Sequence, residues 1–335
     1  MSNTYHLYLR PGIEVVERCG GLHRFMGWDR ALMTDSGGYQ IFSLSRLCKI
    51  DDAGVTFRSH IDGSEHFLSP ELAVRYQEAL GADIIMVLDE CPPSMSSREH
   101  TEAAMERTHR WAVRCREAHQ RENQSLFAIV QGGIFPELRQ RSAEYLTGLD
   151  FAGYAIGGLS VGEPKAVTND IVSKTTALLP EDKPRYLMGV GSPEDIVTAV
   201  GQGIDLFDCA LPTRVARKGA LFTAQGRCNI RNAAYREMDG PFDDSCDCET
   251  CRNFSATYLH HLFRSQELLA YRLATIHNLH FMENLMRQLR AAISDGTYET
   301  FREQFLNNYQ VTSDEVRLTQ RQKWLERWHN EKAGS

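Results

Sequence analysis

The sequence predicts an α/β fold, a (β/α)8 TIM barrel with a small cysteine-rich subdomain near the C-terminus. Short apolar runs alternate with helical patterns along the chain, which is typical of a parallel sheet. The runs end in carboxylate, amide or glycine residues, as strands do at the mouth of a barrel. No run leads into a glycine-rich turn of the dinucleotide-binding type, which favours a barrel over a doubly wound sheet.

The predicted elements follow one another in order. The strand-bearing runs are ALMTDSGGYQ at 31–40, ADIIMVLDEC at 82–91, SLFAIVQGG at 125–133, GYAIGGLSVGE at 153–163, PRYLMGVGS at 184–192 and GIDLFDCALPTR at 203–214. Helices are expected at 98–120, from Pro136, at 167–179 and from Pro193, because proline is favoured at the first helical position. The unbroken apolar core of the second run suits a strand buried on both faces.

Composition sets broad limits on the class of protein. The 335 residues allow one large barrel domain or two smaller ones. No apolar run of about 18 residues predicts a membrane span, and the start MSNTYHLYLRPG does not have the pattern of a signal peptide. We therefore expect a cytoplasmic chain, whose nine cysteines are thiols or metal ligands rather than disulfides.

Polar and glycine residues stand where the predicted strands end. They are Asp35, Asp89, Gln131, Gly157, Gly158, Gly189 and Asp208. A lone aspartate after a strand is usually a helix cap. Several such residues at the same position of successive strands indicate instead an active site at the barrel mouth.

The segment CDCETC predicts a metal site. Its thiols Cys246, Cys248 and Cys251 have a spacing that lets them face one tetrahedral ion. The fourth ligand remains open among His260, His261, His277 and His280. A Cys3His zinc site has no position left for water, so the zinc-binding subdomain would be structural rather than catalytic.

A basic segment interrupts a chain whose net charge is −7. Residues 209–236 contain no acidic residue but six basic ones: Arg214, Arg217, Lys218, Arg227, Arg231 and Arg236. A local nucleic-acid contact and an ordinary solvated loop are both compatible with this pattern.

Seven motifs occur in a specific order: TDSGGYQ, DEC, VQGG, GGLSVGE, YLMGVG, DLFDCALPTR and CDCETC. As an ordered set they resemble the bacterial tRNA-guanine transglycosylase (queuine tRNA-ribosyltransferase) family, from about Asn3 to the C-terminal helices. The resemblance implies a (β/α)8 barrel with a zinc subdomain. It also implies a step of queuosine biosynthesis, in which the wobble guanine of tRNAs with GUN anticodons (Asp, Asn, His, Tyr) is exchanged for 7-aminomethyl-7-deazaguanine.

The resemblance assigns two catalytic carboxylates. Asp208 matches the nucleophile, which would form a covalent ribosyl-enzyme that the incoming base displaces. Asp35 matches the general acid/base, which would protonate departing guanine and deprotonate the new base. Together they would carry out a double displacement.

The resemblance also implies a base pocket, made of Asp89, Gln131, Gly158, Leu159, Tyr39, Met188, Cys91 and Val161. Asp89 would accept from the ring N–H and the adjacent amine of guanine, a donor pair that adenine lacks. Gln131 would serve the carbonyl edge, and Tyr39 and Met188 would sandwich the ring. Cys91 and Val161 match the bacterial forms of the family, which predicts a preference for prequeuosine-1, the 7-aminomethyl base, over the larger queuine.

Further contacts follow from the same resemblance. The tRNA contacts implied are Arg214 and Arg217. The zinc ligands implied are Cys246, Cys248, Cys251 and His277. A homodimer through the zinc subdomain is implied by an aromatic cluster at Phe254, Tyr258 and His261.

The expected domains are the barrel at 1–240, the zinc-binding subdomain at 241–285 and helices that complete the barrel at 286–335. The family pattern begins before NTYHL, so the first barrel strand and an N-terminal cover sheet are expected to be incomplete. This leaves open a non-catalytic tRNA-binding remnant or subunit. A barrel glycosidase would share the two carboxylates but would not explain CDCETC, and the His-x-His that a metal hydrolase needs at a strand end is absent from the sequence.

Overall fold

The computed structural model describes residues 1–44, 48–93, 96–160 and 162–311. These residues form two compact units. The first contains residues 1–190 and 202–208, and the second contains residues 191–201 and 209–311. In the described ranges, no helix is both long enough and apolar enough to cross a membrane.

Strands and helices alternate through most of the chain. In chain order up to residue 187 they are β1 (Ser2–Asn3), α1 (Thr4–Leu9), α2 (Ile13–Arg18), α3 (Gly21–Met26), β2 (Met33–Asp35), α4 (Gly38–Leu44), β3 (Cys48–Ile50), β4 (Val55–Arg58), β5 (Glu65–Leu68), α5 (Pro70–Leu80), β6 (Ile84–Met86), α6 (Arg98–Ala118), β7 (Ser125–Val130), α7 (Pro136–Thr147), β8 (Gly153–Ile156), α8 (Lys165–Thr176) and β9 (Arg185–Leu187). After them come α9 (Pro193–Val200), β10 (Leu206–Phe207), α10 (Leu211–Ala216), β11 (Ala220–Thr223), β12 (Gly226–Asn229), α11 (Glu249–Asn253), α12 (Ala256–Arg264), α13 (Leu268–Ser294) and α14 (Tyr298–Asn308).

A parallel sheet of seven strands forms the framework of the first unit, in the order β1-β2-β6-β7-β8-β9-β10. Every neighbouring pair is parallel, and the order follows the chain, as in a (β/α)8 barrel. The β/α barrel class predicted from the sequence is confirmed. All six predicted strand runs contribute a strand to this sheet.

The central strands are apolar because both of their faces are covered. Every residue of β8 is buried, and only Ser125 in β7 is partly exposed. β8 also begins at a glycine that leaves room for its neighbour, since a Cβ on Gly153 would lie 2.4 Å from the ring of Phe127. Continuous burial of this kind is typical of parallel strands that are covered on both faces, in a barrel by the outer helices and by the side chains packed inside.

Local signals account for the helix boundaries. α5 begins after Ser69, whose hydroxyl accepts from the Leu72 N–H, and ends at Gly81 in the left-handed conformation. α6 begins at the predicted residue and ends two residues before the predicted 120. The predicted proline starts of α7 and α9 are confirmed, whereas α8 lies at 165–176 rather than at 167–179.

A separate antiparallel sheet, β3-β4-β5, was not predicted from the sequence. Its second turn is fixed locally, because the Asp62 carboxylate accepts from the N–H and the hydroxyl of Ser64. Gly63 supplies the left-handed backbone of the same turn, with φ +76°. The strands are only three or four residues long, which is too short for a clear alternating pattern.

The second unit has its own apolar core. It is formed by buried residues that include Ala216, Leu221, Leu259, Phe263 and Leu273. A buried asparagine in α13 joins that helix to the backbone of neighbouring segments. The Asn278 side-chain oxygen accepts from the Phe222 N–H at 3.0 Å. Its amide nitrogen donates to the carbonyls of Pro212 and Ala220, at 2.9 and 3.0 Å.

Candidate active site and metal centre

The polar residues expected at the strand ends are where the sequence analysis placed them. Asp35 is the last residue of β2, Gln131 directly follows β7 and Asp208 directly follows β10. Asp89 lies three residues beyond the end of β6. Because the strands are parallel, these side chains lie at the same edge of the sheet.

Asp35 is a buried carboxylate close to two others. Burial, and the charges of Asp89 and Asp208, raise its pKa to about 7. The N–H groups of Ser36 and Gly37 oppose this shift by hydrogen bonding. The Asn3 amide donates to Asp35 at 3.0 Å, across the β1–β2 pair in which the two residues are register partners.

Asp89 and Gln131 form a buried pair. Gln131 Nε2 donates to Asp89 Oδ2 at 2.7 Å. Burial raises the pKa of Asp89 to about 6, although the hydrogen bond from Gln131 acts in the opposite direction. The Gln131 Oε1 atom has no hydrogen-bond partner in the described structure, which is costly for a buried acceptor.

Two glycines allow the backbone to approach this pair closely. A Cβ on Gly158 would lie 2.4 Å from Gln131 Oε1, and one on Gly157 would lie 2.9 Å from Gln131 Nε2. Gly158 also has a φ of +66°, a conformation that favours glycine. Both positions therefore exclude a side chain, because any Cβ would collide with the Gln131 amide.

Asp208 is held by two donors that the sequence analysis did not single out. The Tyr186 hydroxyl and the Gly189 N–H both donate to Asp208 Oδ1, each at 2.6 Å. Burial and the charge of Asp208 raise the pKa of Tyr186 well above its ordinary value, so the phenol stays a donor. The motif YLMGVG contains both residues, but its letters do not reveal that they bind a carboxylate, which lies 22 positions after Tyr186 and 19 after Gly189.

The remaining residues of the predicted base pocket differ in exposure. Leu159 is buried, Met188 and Cys91 are partly buried and Tyr39 is 47% exposed. The Met188 sulfur lies 3.5 Å from the position of a Cβ on Gly157, which places it beside the Gly157–Gly158 backbone. Burial raises the pKa of the Cys91 thiol to about 12. Val161 lies outside the described residues.

The second unit contains a cluster that could hold a metal ion. Its ligand atoms, from Cys246, Cys248, Cys251 and His277, all lie within 4.8 Å of one another. The His277 Nδ1 atom is 3.4 to 3.7 Å from the three sulfurs, the spacing expected around a tetrahedral ion. His277 Nε2 lies 2.8 Å from the Phe222 carbonyl, so Nε2 carries the proton and Nδ1 is available as a ligand.

The other histidines considered for this cluster have different contacts. His280 Nε2 lies 2.6 Å from Asp247, and His260 Nδ1 lies 2.8 Å from the Ile230 carbonyl. His261 is exposed and lines a groove with His260. Of the four histidines that the sequence left open, the geometry therefore brings only His277 to the thiols.

Comparison with known proteins identifies the family. The family model for queuine tRNA-ribosyltransferase matches residues 1–311. A queuine tRNA-ribosyltransferase of Dehalococcoides mccartyi is 61% identical over 325 residues, which cover 97% of this chain and 83% of that protein. Proteins of the same name from Pelotomaculum thermopropionicum and Herpetosiphon aurantiacus are 58% and 54% identical, covering 92% and 96% of this chain and 84% and 82% of theirs.

The chain belongs to the queuine tRNA-ribosyltransferase family. Membership confirms the resemblance that the ordered motifs indicated and the class of enzyme that it implied.

The residues expected to contact tRNA in this family member are exposed. Arg214 lies in α10, and Arg217 follows that helix. Further basic side chains of the second unit, among them Arg231, Arg236 and Arg264, line an open groove of about 570 Å³ together with His260 and His261. Within the described residues, none of these three arginines forms an ion pair with a carboxylate, and no acidic residue lines the groove.

Phe254 and Tyr258, expected at a dimer interface, stack on each other with ring centroids 5.8 Å apart. Phe254 is half-buried against the core of the second unit, whereas Tyr258 is 39% exposed.

Proposed function

We propose that this chain exchanges the wobble guanine of tRNA for 7-aminomethyl-7-deazaguanine by double displacement. The observation that carries this proposal is the trio of carboxylates at one sheet edge, Asp35, Asp89 and Asp208, in which the charges of the other two act on Asp35. Family membership supplies the reaction class.

Asp208 is the proposed nucleophile. Both donors to this side chain contact Oδ1, so we assign the attack on the anomeric carbon of the ribose to Oδ2. The C–O bond forms as the bond to guanine breaks, giving a covalent ribosyl-enzyme. The incoming base then attacks the same carbon and releases Asp208, so two inversions retain the configuration.

Asp35 is the proposed general acid and base. A pKa of about 7 lets it exist in both protonation states near neutral pH, as the two half-reactions require. Its proton goes to the departing guanine in the first step. It takes a proton from the incoming base in the second step.

Asp89 and Gln131 are the proposed readers of the base. One carboxylate can accept from both the ring N–H and the exocyclic amine of guanine or the deazaguanine. The second N–H of the Gln131 amide, beyond the one given to Asp89, can donate to the base carbonyl. An adenine does not offer this pair of donors and would leave a buried carboxylate with unfilled acceptor positions beyond the Gln131 bond, which is a strong basis for rejection.

The rest of the pocket is proposed to enclose the ring and its substituent. Gly158 N–H and the Leu159 carbonyl would face the base, and Tyr39 and Met188 would cover its two faces. We retain Cys91 and Val161 as the residues that favour prequeuosine-1 over queuine. Equal incorporation of both bases would contradict this part of the proposal.

The Cys3His cluster is proposed to hold one structural Zn²⁺. Three thiolates and one imidazole form the donor set that zinc prefers, and no ligand position is left for water. The ion would fix the segment at 246–251, which leads into α11, to α13, which carries His277. We propose that it takes no part in the chemistry of base exchange.

Binding of the tRNA anticodon arm is proposed to use the basic side chains of the second unit. Arg214 and Arg217 would contact phosphates, and the arginines of the open groove would extend this contact.

We further propose GUN anticodons as targets, a homodimer through Phe254, Tyr258 and His261, and action in the cytoplasm. The proposed domain limits stay at 1–240, 241–285 and 286–335.

The test is incorporation of radiolabelled guanine into unmodified tRNA-Tyr, using this chain, an Asp208→Asn variant and an Asp205→Asn control. Asp205 is a matched carboxylate three residues earlier, exposed and bonded to the Arg185 N–H at 2.8 Å. We expect label with the unchanged chain and the control, and none with Asp208→Asn. tRNA binding without incorporation by the unchanged chain would favour the alternative, a non-catalytic tRNA-binding subunit.

A further inference from the structure

A buried arginine lies beneath the proposed base-reading residue. Arg139, in α7, is 1% exposed, and in the described part of the chain no carboxylate forms an ion pair with it. Burial lowers its pKa to about 10, so the guanidinium remains charged near neutral pH. A buried cation without an ion-pair partner is destabilising unless backbone groups satisfy it, which makes its contacts informative.

Those contacts are with the loop that carries Gln131. Arg139 Nη1 donates to the Val130 carbonyl at 2.8 Å, and Nε donates to the Gly133 carbonyl at 2.9 Å. The planar guanidinium thus holds the backbone on both sides of Gln131. Between these two carbonyls, Gly132 lies against the backbone of α7. A Cβ on Gly132 would be 2.8 Å from the backbone nitrogen of Arg139.

A second residue of the same helix binds the backbone N–H of Gln131 itself. Ser142 lies three positions after Arg139 and is fully buried. Its Oγ accepts from the Gln131 N–H at 3.2 Å and lies 3.0 Å from His109 Nε2. Burial lowers the pKa of His109 to about 4, so its ring is neutral and can accept the Ser142 proton.

We propose that Arg139 and Ser142 are positioning residues that set the Gln131 amide for base recognition. This inference rests on the proposed function, because it assumes that Gln131 reads the base. Gln131 must direct one N–H to Asp89 and the other to the base carbonyl. A shift of its backbone by a fraction of an ångström would misalign both bonds.

The test compares two arginines of one helix. Arg139→Lys keeps the charge but cannot present the planar fork that reaches two carbonyls. Arg141→Lys is the matched control, because Arg141 is exposed and pairs with Glu102 and Glu106. Ser142→Ala removes the hydrogen bonds to the Gln131 N–H and to His109 with little change in volume, and it keeps the test valid if Arg139→Lys does not fold.

In the guanine exchange assay we expect Arg139→Lys to raise the KM for guanine by about 10- to 100-fold, leaving the KM for tRNA unchanged. Ser142→Ala should raise the KM for guanine about 3- to 10-fold, and Arg141→Lys should change it less than about two-fold. If Arg139→Lys and Ser142→Ala lower only kcat and the thermal midpoint and leave the KM for guanine unchanged, the inference is overturned, because the two residues would then have a packing role alone.

Calorimetric titration with guanine separates this inference from the proposed function. If the unchanged chain binds guanine but incorporates no label, the proposed exchange fails. The dissociation constants of the three variants then decide the role of Arg139 and Ser142 in the same way as the KM values. If the unchanged chain binds no guanine at all, both proposals are overturned.

Discussion

The strand-end site of the first unit and the Cys3His cluster of the second unit satisfy their polar groups differently. In the cluster, His277 Nε2 donates to the Phe222 carbonyl, which leaves Nδ1 as the ligand atom. The Cys248 sulfur also accepts from the Cys251 N–H. At the strand ends, Gln131 Oε1 has no hydrogen-bond partner among the residues that the structure describes, and burial and neighbouring carboxylates raise the pKa of Asp35 to about 7. The cluster brings together four ligand atoms that could hold one metal ion, whereas the strand-end site contains buried polar groups whose hydrogen-bonding capacity is not filled within the described residues.

The difference shows which site depends on local sequence. Three of the four cluster ligands lie within six residues, so their spacing alone brings them together. The strand-end carboxylates lie up to 173 residues apart, between Asp35 and Asp208, and only the parallel sheet joins them. Substitutions should therefore alter ligand recognition at one site and folding at the other.

The largest effect is expected from Asp89→Asn. An amide nitrogen would meet the donors of the base, so kcat/KM for guanine exchange should fall by at least about 10³-fold, with little loss of stability. Asp83→Asn serves as the control, since Asp83 is half exposed and binds His23 and the Leu32 N–H. A comparable loss in both variants, measured by label incorporation, would contradict base reading by Asp89.

His277→Ala should act in the opposite way, on stability. Losing one of four ligands should release the ion and lower the free energy of unfolding by at least about 3 kcal/mol. Metal content by atomic absorption and the thermal midpoint would measure this. His280→Ala, on the same helix, should leave both unchanged, because His280 pairs with Asp247 instead. Full metal content in His277→Ala would refute the ligand assignment.

Asp35→Asn should stabilise the protein while abolishing exchange. The pKa of Asp35 is raised to about 7 in the folded chain, so folding favours its protonated form. That contribution is present below about pH 4 and is lost as the pH rises through about 7. An asparagine, which is always neutral, should therefore be more stable than aspartate by about 1–4 kcal/mol at about pH 8.

The difference between Asp35→Asn and the unchanged chain should disappear near pH 4, where both side chains are neutral. Thermal unfolding at the two pH values would measure it, with about 2–4 °C expected for each kcal/mol. An equal midpoint for both proteins at about pH 8 would show that Asp35 ionises normally.

The smallest effect is expected in the open groove of the second unit. Arg264→Ala should raise the KM for tRNA about two- to five-fold. It should also reduce the slope of the logarithm of the tRNA binding constant against the logarithm of salt concentration by about one. Arg252→Ala is the control, because Arg252 is exposed but pairs with Asp247 at 3.3 Å. An unchanged salt slope in Arg264→Ala would remove the groove from the proposed tRNA surface.

Much of the fold was predictable because helix and strand patterns were strong. The six apolar runs and the proline starts of α7 and α9 carried enough local information to place their elements. The antiparallel sheet at 48–68 was missed, since its short strands depend on turns rather than on periodicity. The strand-end aspartates and Gln131 were predicted from their position after each run.

The supporting residues of the site could not be predicted from the residues alone. Tyr186 and Arg139 act through hydrogen bonds to a carboxylate and to carbonyls that other segments supply. From the sequence alone, Tyr186 would be interpreted as an ordinary strand residue and Arg139 as an ordinary residue on the surface of a helix. Arg139 and Arg141 differ by two positions, yet one is buried and the other exposed, because they lie on different faces of α7.

The buried position of Asp35 has a consequence for how protons move in the proposed exchange. The leaving base takes up one proton and the arriving base gives one back, so the complete cycle neither consumes nor releases any. A single carboxyl with a pKa of about 7 can lend a proton and recover it without a relay to bulk solvent. The exchange then needs no water molecule to carry a proton, and water is the molecule that could hydrolyse the ribosyl-enzyme between the two halves.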